Sequence, residues 1–153
     1  DRVVIGSESE KAREVMNEIY APMKEFTQIL HMDRHSSEMT KYVANTFLAM
    51  KISFINEMSR LCEDLGADVE NVKKGIASDH RIGPHFINPG IGYGGSCFPK
   101  DVLALEKMAQ KCGEQLGILH MIIEGNKAQR AFFVEKIKKA FNGDLVGKTL
   151  AVW

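Results

Sequence analysis

One stretch limits what this chain can fold into more than any other, the run from Ser36 to Leu65. Met39, Val43, Phe47, Met50, Phe54, Met58, Leu61 and Leu65 recur at helical spacing, while Leu48, Ile52, Ile55 and Cys62 form a second apolar stripe on another side. A surface helix needs only one such stripe. A helix apolar on two sides is expected to be central to its domain or shared with a second subunit. Ser36 is the expected N-cap, Glu38 suits the first turn, and Gly66 stands where a C′ glycine ends a helix.

Shorter elements flank this helix. Residues 2–6 read as a strand, followed by a helix from about Glu8 to Tyr20, with Ser7 or Ser9 as its cap and Pro22 beyond its end. Phe26 to Met32 reads as extended. Asp68 suits the cap of a short helix over 69–78, and Pro99 suits the start of another, Pro99–Lys111. After Gly113 a last helix is expected from about Glu114 to Phe141, ended by Gly143. The closing phrase Gly147–Trp153 reads as a strand just beginning. A strand without a neighbour leaves its backbone donors and acceptors unpaired, so both ends are expected to be cuts through larger sheets. The expected fold is mainly α, with a strand at each edge.

Composition removes several classes of function. Lys plus Arg equals Asp plus Glu at 20 each, so net charge favours neither nucleic acid nor a membrane surface. No apolar run approaches the roughly 20 residues needed to span a bilayer. Cys62, Cys97 and Cys112 form an odd set without CxxC spacing, which argues against a disulfide framework or a zinc site and for a reducing cytoplasm. The histidines show no metal-ligand spacing, so no metal is expected.

Residues 79–98 interrupt the helical pattern with Gly83, Pro84, Pro89, Gly90, Gly92, Gly94 and Gly95. A long loop of this kind often carries function. Its end, Gly92-Tyr93-Gly94-Gly95-Ser96-Cys97-Phe98-Pro99-Lys100-Asp101, holds the sharpest chemical signal. The glycines let backbone approach a ligand closely. Cys97 precedes a helix whose free N–H groups, with Lys100 nearby, favour a thiolate and make it a candidate nucleophile. Asp101 is a candidate to steer a water or take a proton. The alternative is a small buried cysteine at a loop–helix junction. Lys41 and Asn45, at i and i+4, share one helix face.

The decapeptide resembles the cysteine signature of the UDP-glucose/GDP-mannose dehydrogenase family. Other matches follow in the family's order. Lys41-Tyr42-Val43-Ala44-Asn45 resembles the K-x-x-x-N stretch of the family's central helix. Asp79-His80-Arg81-Ile82-Gly83 resembles a loop that reaches a neighbouring subunit's substrate, and Gly147–Trp153 resembles the opening strand of the family's C-terminal nucleotide-binding domain. The resemblance implies a helical domain of the 6-phosphogluconate-dehydrogenase C-terminal type. It also implies three parts: the end of an NAD-binding Rossmann domain over 1–22, a central dimerisation and catalytic-cysteine domain over 23–143, and the start of a UDP-binding domain over 144–153.

What the resemblance implies chemically is a four-electron oxidation at C6 of a sugar nucleotide, with NAD as cofactor. Cys97 would add to the intermediate aldehyde, a step that turns an aldehyde carbon back into a hydride donor without releasing it. Lys41 and Asn45 would hold the developing oxyanion, Asp101 would manage the water, and Lys100 would contact the cofactor. Arg81 and the stretch Phe86, Ile87, Asn88, Pro89, Gly90, Tyr93 and Gly94 would line the substrate; Phe86 and Tyr93 suit local core equally. The phrases at 81–83 and 97–101 resemble the branch acting on UDP-glucose more than those acting on GDP-mannose or N-acetylhexosamines. The family's dinucleotide fingerprint and its catalytic Glu and Thr have no counterpart here, so this stretch alone is expected to be inactive. The long helix implies a homodimer. Two other readings compete: a purely structural dimerisation module, and a helical domain of the 6-phosphogluconate or hydroxyacyl-CoA dehydrogenases, whose chemistry needs no thiol.

Overall fold

The structure, a computed structural model, describes residues 2–151. It divides into two compact units, residues 1–45 and 46–153.

In the first unit, β1 (Arg2–Gly6) and β2 (Gln28–Met32) pair in parallel, from Arg2 opposite Gln28 to Gly6 opposite Met32. Parallel neighbours require a crossover, and α1 (Glu10–Tyr20) with a 3-10 turn at Ala21–Met23 supplies it. Ser9 caps α1 by accepting from the Ala12 amide at 3.4 Å, so the helix starts slightly later than the expected Glu8. Gly6 is required at the end of β1. A Cβ there would fall inside the Ser37 side chain and 2.9 Å from Arg34 Cα.

The long helix α2 runs from Arg34 to Leu65. Its cap corrects the sequence expectation: Asp33, not Ser36, holds the first turn, its Oδ1 accepting from the Ser36 amide at 2.8 Å. Bonds from Ser36 hold the Asp33 carboxyl below its ordinary range. A carboxylate here is favoured by the helix dipole as well, and two cap-type residues three apart made the earlier one easy to miss.

The second unit contains the rest of α2 with α3 (Val69–Ala77), α4 (Phe98–Lys111) and α5 (Gly117–Ala140). Asp68 caps α3 through the Glu70 amide at 2.9 Å, and Gly66, at φ +70°, ends α2 as its position predicts. The last helix begins at Gly117 rather than Glu114, because Gly113 at φ +76° starts a turn that Leu116 closes in a non-helical conformation. No strand forms over residues 148–151, and the remainder of that expected strand, Val152 and Trp153, lies outside the described residues. A strand needs a partner for its backbone groups, and the described residues offer none there.

Ala49, Ile55, Ile87, Tyr93, Val102, Leu105, Leu119, Ile122 and Ile123 form the core. The mainly helical architecture is the expected one. The two stripes of α2 have different fates: Ile55 is fully buried, whereas Phe47, Phe54, Leu61 and Leu65 stay 49–73 % exposed. Ile55→Ala is expected to lower stability by about 2–5 kcal/mol, the range for truncating a fully buried aliphatic chain, and a shift of the urea midpoint measures it.

Candidate active site

The glycine-rich loop owes its position to bonds between its backbone and side chains on the helices. Asn56 on α2 accepts from the Gly90 amide through Oδ1 at 2.8 Å, and Gln129 on α5 donates from Nε2 to the Gly90 carbonyl at 2.7 Å. Arg60 in turn donates to Gln129 Oε1. Three residues on, Asn126 takes both main-chain groups of Tyr93: Oδ1 accepts from its amide at 2.8 Å and Nδ2 donates to its carbonyl at 3.0 Å. All three carboxamide residues are at most 5 % exposed. Asn56 Nδ2 is also buried and has no partner among the described residues, a cost of about 1–3 kcal/mol carried beside the loop. Earlier in the loop, Lys51 donates to the Ile82 carbonyl at 2.9 Å and Lys73 to Asn88 Oδ1 at 3.1 Å.

These bonds deliver Cys97 to the foot of α4. The thiol is exposed, 3.8 Å from Ser96 Oγ. Pro99 occupies the first turn of α4, where its missing N–H costs nothing, and Phe98 rather than Pro99 is the first helical residue. The Phe98 ring is met edge-on by Phe86 and by Tyr93, with centroids 5.9 and 6.2 Å away. Phe86 sits at φ +61°. A bulky residue in that region is strained, and such strain collects at functional sites. One turn into α4, Asp101 is 1 % exposed and its Oδ1 lies 2.9 Å from Lys100 Nζ, on an otherwise exposed lysine. Cys97, Lys100 and Asp101 therefore share one turn.

The remaining candidates fall in distinct places. Ile87 and Tyr93 are buried, so their side chains serve the core, and burial pushes the Tyr93 hydroxyl above its ordinary value. Phe86, Asn88, Gly90 and Gly94 are exposed and Pro89 is half-buried. Arg81 is exposed and forks onto Asp79, with Nη2–Oδ2 at 2.6 Å and Nε–Oδ1 at 3.0 Å. These bonds hold the Asp79 carboxyl below its usual range and raise Arg81 above its own. In the first unit, Lys41 is exposed and Asn45 half-buried, one turn apart on α2. Among the described residues no group of three or more His, Cys, Asp or Glu is placed to hold a metal.

Asn56, Asn126 and Gln129 were missed by reasoning from sequence. The available signal was an amide at core spacing: Asn56 follows Ile52 by four residues, and Asn126 follows Ile122 by four. A buried amide in an apolar stripe must find a partner, and backbone is the commonest one.

The fold and site together define a helical domain that presents a thiol to solvent at the end of a clamped, glycine-rich loop. The chain belongs to the UDP-glucose/GDP-mannose dehydrogenase family, whose central-domain model matches residues 35–128. It is 46 % identical to a Pseudomonas aeruginosa protein named UDP-glucose 6-dehydrogenase, over 100 % of this chain and 34 % of that one. It is 45 % identical to the Bacillus subtilis UDP-glucose 6-dehydrogenase YwqF, over 99 % of this chain and 34 % of the relative. A solved UDP-glucose dehydrogenase from Pyrobaculum islandicum superposes with a TM-score of 0.88 at 34 % identity, covering 93 % of this chain and 32 % of its own. The chain thus spans about a third of the length of the relatives it matches.

Gly92 lies at φ +117°, and a Cβ there would overlap Asn126 Oδ1. Gly92→Ala is expected to cost about 1–3 kcal/mol through backbone strain alone, with further loss as the Asn126 clamp is displaced. Thermal unfolding of the variant checks it.

Proposed function

We propose that the parent of this chain is an NAD-dependent UDP-glucose 6-dehydrogenase of the cytoplasm, oxidising the C6 alcohol of UDP-glucose to the carboxylate of UDP-glucuronate. The exposure of Cys97 at the foot of α4 carries this reading, and the names of the relatives support the substrate. The three cysteines, none of them in a disulfide, suit a reducing compartment. We read residues 1–22 as the end of the cofactor domain, 23–143 as the central domain and 144–153 as the start of the UDP-binding domain.

In this chemistry Cys97 Sγ adds to the aldehyde carbon left by the first oxidation, giving a thiohemiacetal. Loss of the remaining C6 hydrogen as hydride leaves a thioester, and water then cleaves it, freeing the thiol and the acid. Lys41 and Asn45 donate to the C6 oxygen while it carries negative charge, and Asp101 orients or deprotonates the water. Arg81 and the residues Phe86, Asn88, Pro89, Gly90 and Gly94 hold the sugar nucleotide, with Ile87 and Tyr93 supporting the stretch from the core.

The hydride acceptor for both oxidations would be supplied by NAD⁺ bound to the parent. The β1–α1 turn of this chain does not fit a dinucleotide. Its sequence is Gly6-Ser7-Glu8-Ser9-Glu10, with two carboxylates where a pyrophosphate would meet the helix N-terminus, and Glu8 Oε1 already accepts from the Arg34 amide at 3.2 Å. The cofactor contact proposed for this chain is Lys100 alone, with the rest supplied by other parts of the parent.

Phe47, Phe54 and Leu61 stand seven residues apart on α2, all about half-exposed. That seam supports a homodimer through the long helix. No described helix is long and apolar enough to cross a membrane, and the balanced charge gives no reason to expect a nucleic-acid partner.

The decisive assay uses the full-length parent with UDP-glucose, GDP-mannose and UDP-N-acetylhexosamines. UDP-glucose is expected to be oxidised fastest. Cys97→Ser is expected to lower formation of the acid on the order of 10³-fold while moving the sugar-nucleotide KM by less than about threefold. Acid formation undiminished in that variant refutes the covalent route, and preference for another sugar nucleotide refutes the substrate. For assembly, sedimentation of the parent is expected to give a dimer, and Phe54→Asp with Leu61→Asp a smaller species. A folded wild-type monomer at micromolar concentration overturns the dimer.

A further inference from the structure

Gly94 and Gly95 lie between Tyr93 and Cys97. Neither has any atom within 4 Å of where a Cβ would stand, and Gly95 is at φ +78°. Two glycines in open space have no stiffness of their own, because their backbone reaches many conformations at similar energy. The thiol two residues later must therefore owe its position to what holds the chain on either side. After it stands Phe98, the first residue of α4. Before it stands Tyr93, whose ring meets Phe98 edge-on at 6.2 Å. Tyr93 itself is held by Asn126, which occupies its amide and its carbonyl at once.

We infer that Asn126 is a positioning residue for the Cys97 thiol, acting through the Tyr93 backbone and the Tyr93–Phe98 ring contact. Asn126 is 5 % exposed, comes from a different helix than Cys97, and spends an acceptor and a donor on one loop residue. A single bond would act as a swivel, whereas two bonds to one residue fix its orientation. The neighbouring Gly92 leaves the space Asn126 Oδ1 needs, since a Cβ would occupy it. Gln129 and Asn56 hold Gly90 in the same manner, but Gly90 lies further along the chain from the thiol and has no ring reaching Phe98. Both of these side-chain bonds of Asn126 go to the Tyr93 backbone and neither goes to the thiol.

The inference rests on the role proposed for Cys97, and its test uses the full-length parent with two readouts. Asn126→Ala is compared with Ile123→Ala, a truncation of a buried residue (8 % exposed) one turn away on α5 that makes no bond to the loop. Both should lower the melting temperature. Only Asn126→Ala should lower kcat, by about ten- to a hundredfold, the cost of misplacing a reacting group, with KM within about threefold. Only it should also change the rate of Cys97 alkylation by iodoacetamide, read by mass spectrometry at fixed pH. Equal loss of kcat in both variants, or an Asn126→Ala enzyme with unchanged kcat and alkylation, overturns the inference.

Asn126→Asp guards against an Ala variant that fails to fold. The introduced carboxylate still accepts from the Tyr93 amide but repels its carbonyl, and only the protonated acid donates to it. Its kcat, relative to wild type, should therefore climb as pH falls from about 9 to about 6. A ratio held low across that range counts against the positioning role. Should the wild-type parent oxidise no sugar nucleotide, the functional reading falls, while the alkylation comparison still decides what Asn126 does.

Discussion

Three carboxamides buried between α2 and α5 hold the loop that leads to Cys97. Asn56, Asn126 and Gln129 would each be a liability in a helical core, since a buried amide without partners costs about 1–3 kcal/mol and a satisfied one contributes only about 0.5–1.5 kcal/mol. The amide and carbonyl of Gly90 and of Tyr93 would be an equal liability if the loop were buried without them. Each set of groups is the other's partner. The asymmetry between a small gain and a large penalty makes the arrangement close to all-or-none. Either the loop is seated in register, or several buried polar groups are left open together.

Much of the architecture was legible because periodicity is a strong signal. The span of α2 could be drawn from apolar spacing, and Gly66 marked its end because a positive φ is a physical demand that few residues meet. The boundaries that went astray have local causes. Asp33 and Ser36 are both good caps, and spacing alone does not say which carbonyl begins the helix. The start of α5 depended on a turn at Gly113 whose length no pattern encodes. The terminal strand was expected from a glycine turn followed by apolar residues and from the family resemblance, yet strand formation depends on a neighbour as much as on sequence.

The reading of the site divides in the same way. Cys97 stood out because glycines, a proline at a helical first turn and an acid one turn later each answer a separate physical need, and those needs coincide at one point. Phe86 and Tyr93 could not be assigned between core and ligand from sequence, since an aromatic side chain suits both; the structure buries Tyr93 and leaves Phe86 exposed, and it also buries Ile87, which was expected to line the substrate. Arg81 was expected from the resemblance to line the substrate; Asp79 two residues earlier binds it in a turn, and so short a span is hard to weigh without geometry. The carboxamides escaped because Asn and Gln carry no sign of their own. Only their position within an apolar stripe distinguishes them from solvated ones.

A loop interrupted by five glycines offers fewer side chains by which to be held. Without Cβ atoms packing has little to grip. Hydrogen bonds to the main chain are the remaining means of fixing such a segment, and they have to come from outside it. Two long helices can supply them because their backbone bonds are already satisfied internally, which leaves their side-chain amides free to satisfy another segment's. The inward face of α2 carries one of these amides, and its opposite face keeps an apolar stripe half-exposed. One helix therefore meets two different demands, and a single amphipathic stripe would not have met both. The stripe that includes Ile55 is buried and the one that includes Phe47, Phe54 and Leu61 stays exposed, so the two-sided pattern that first set this helix apart from an ordinary surface helix serves both.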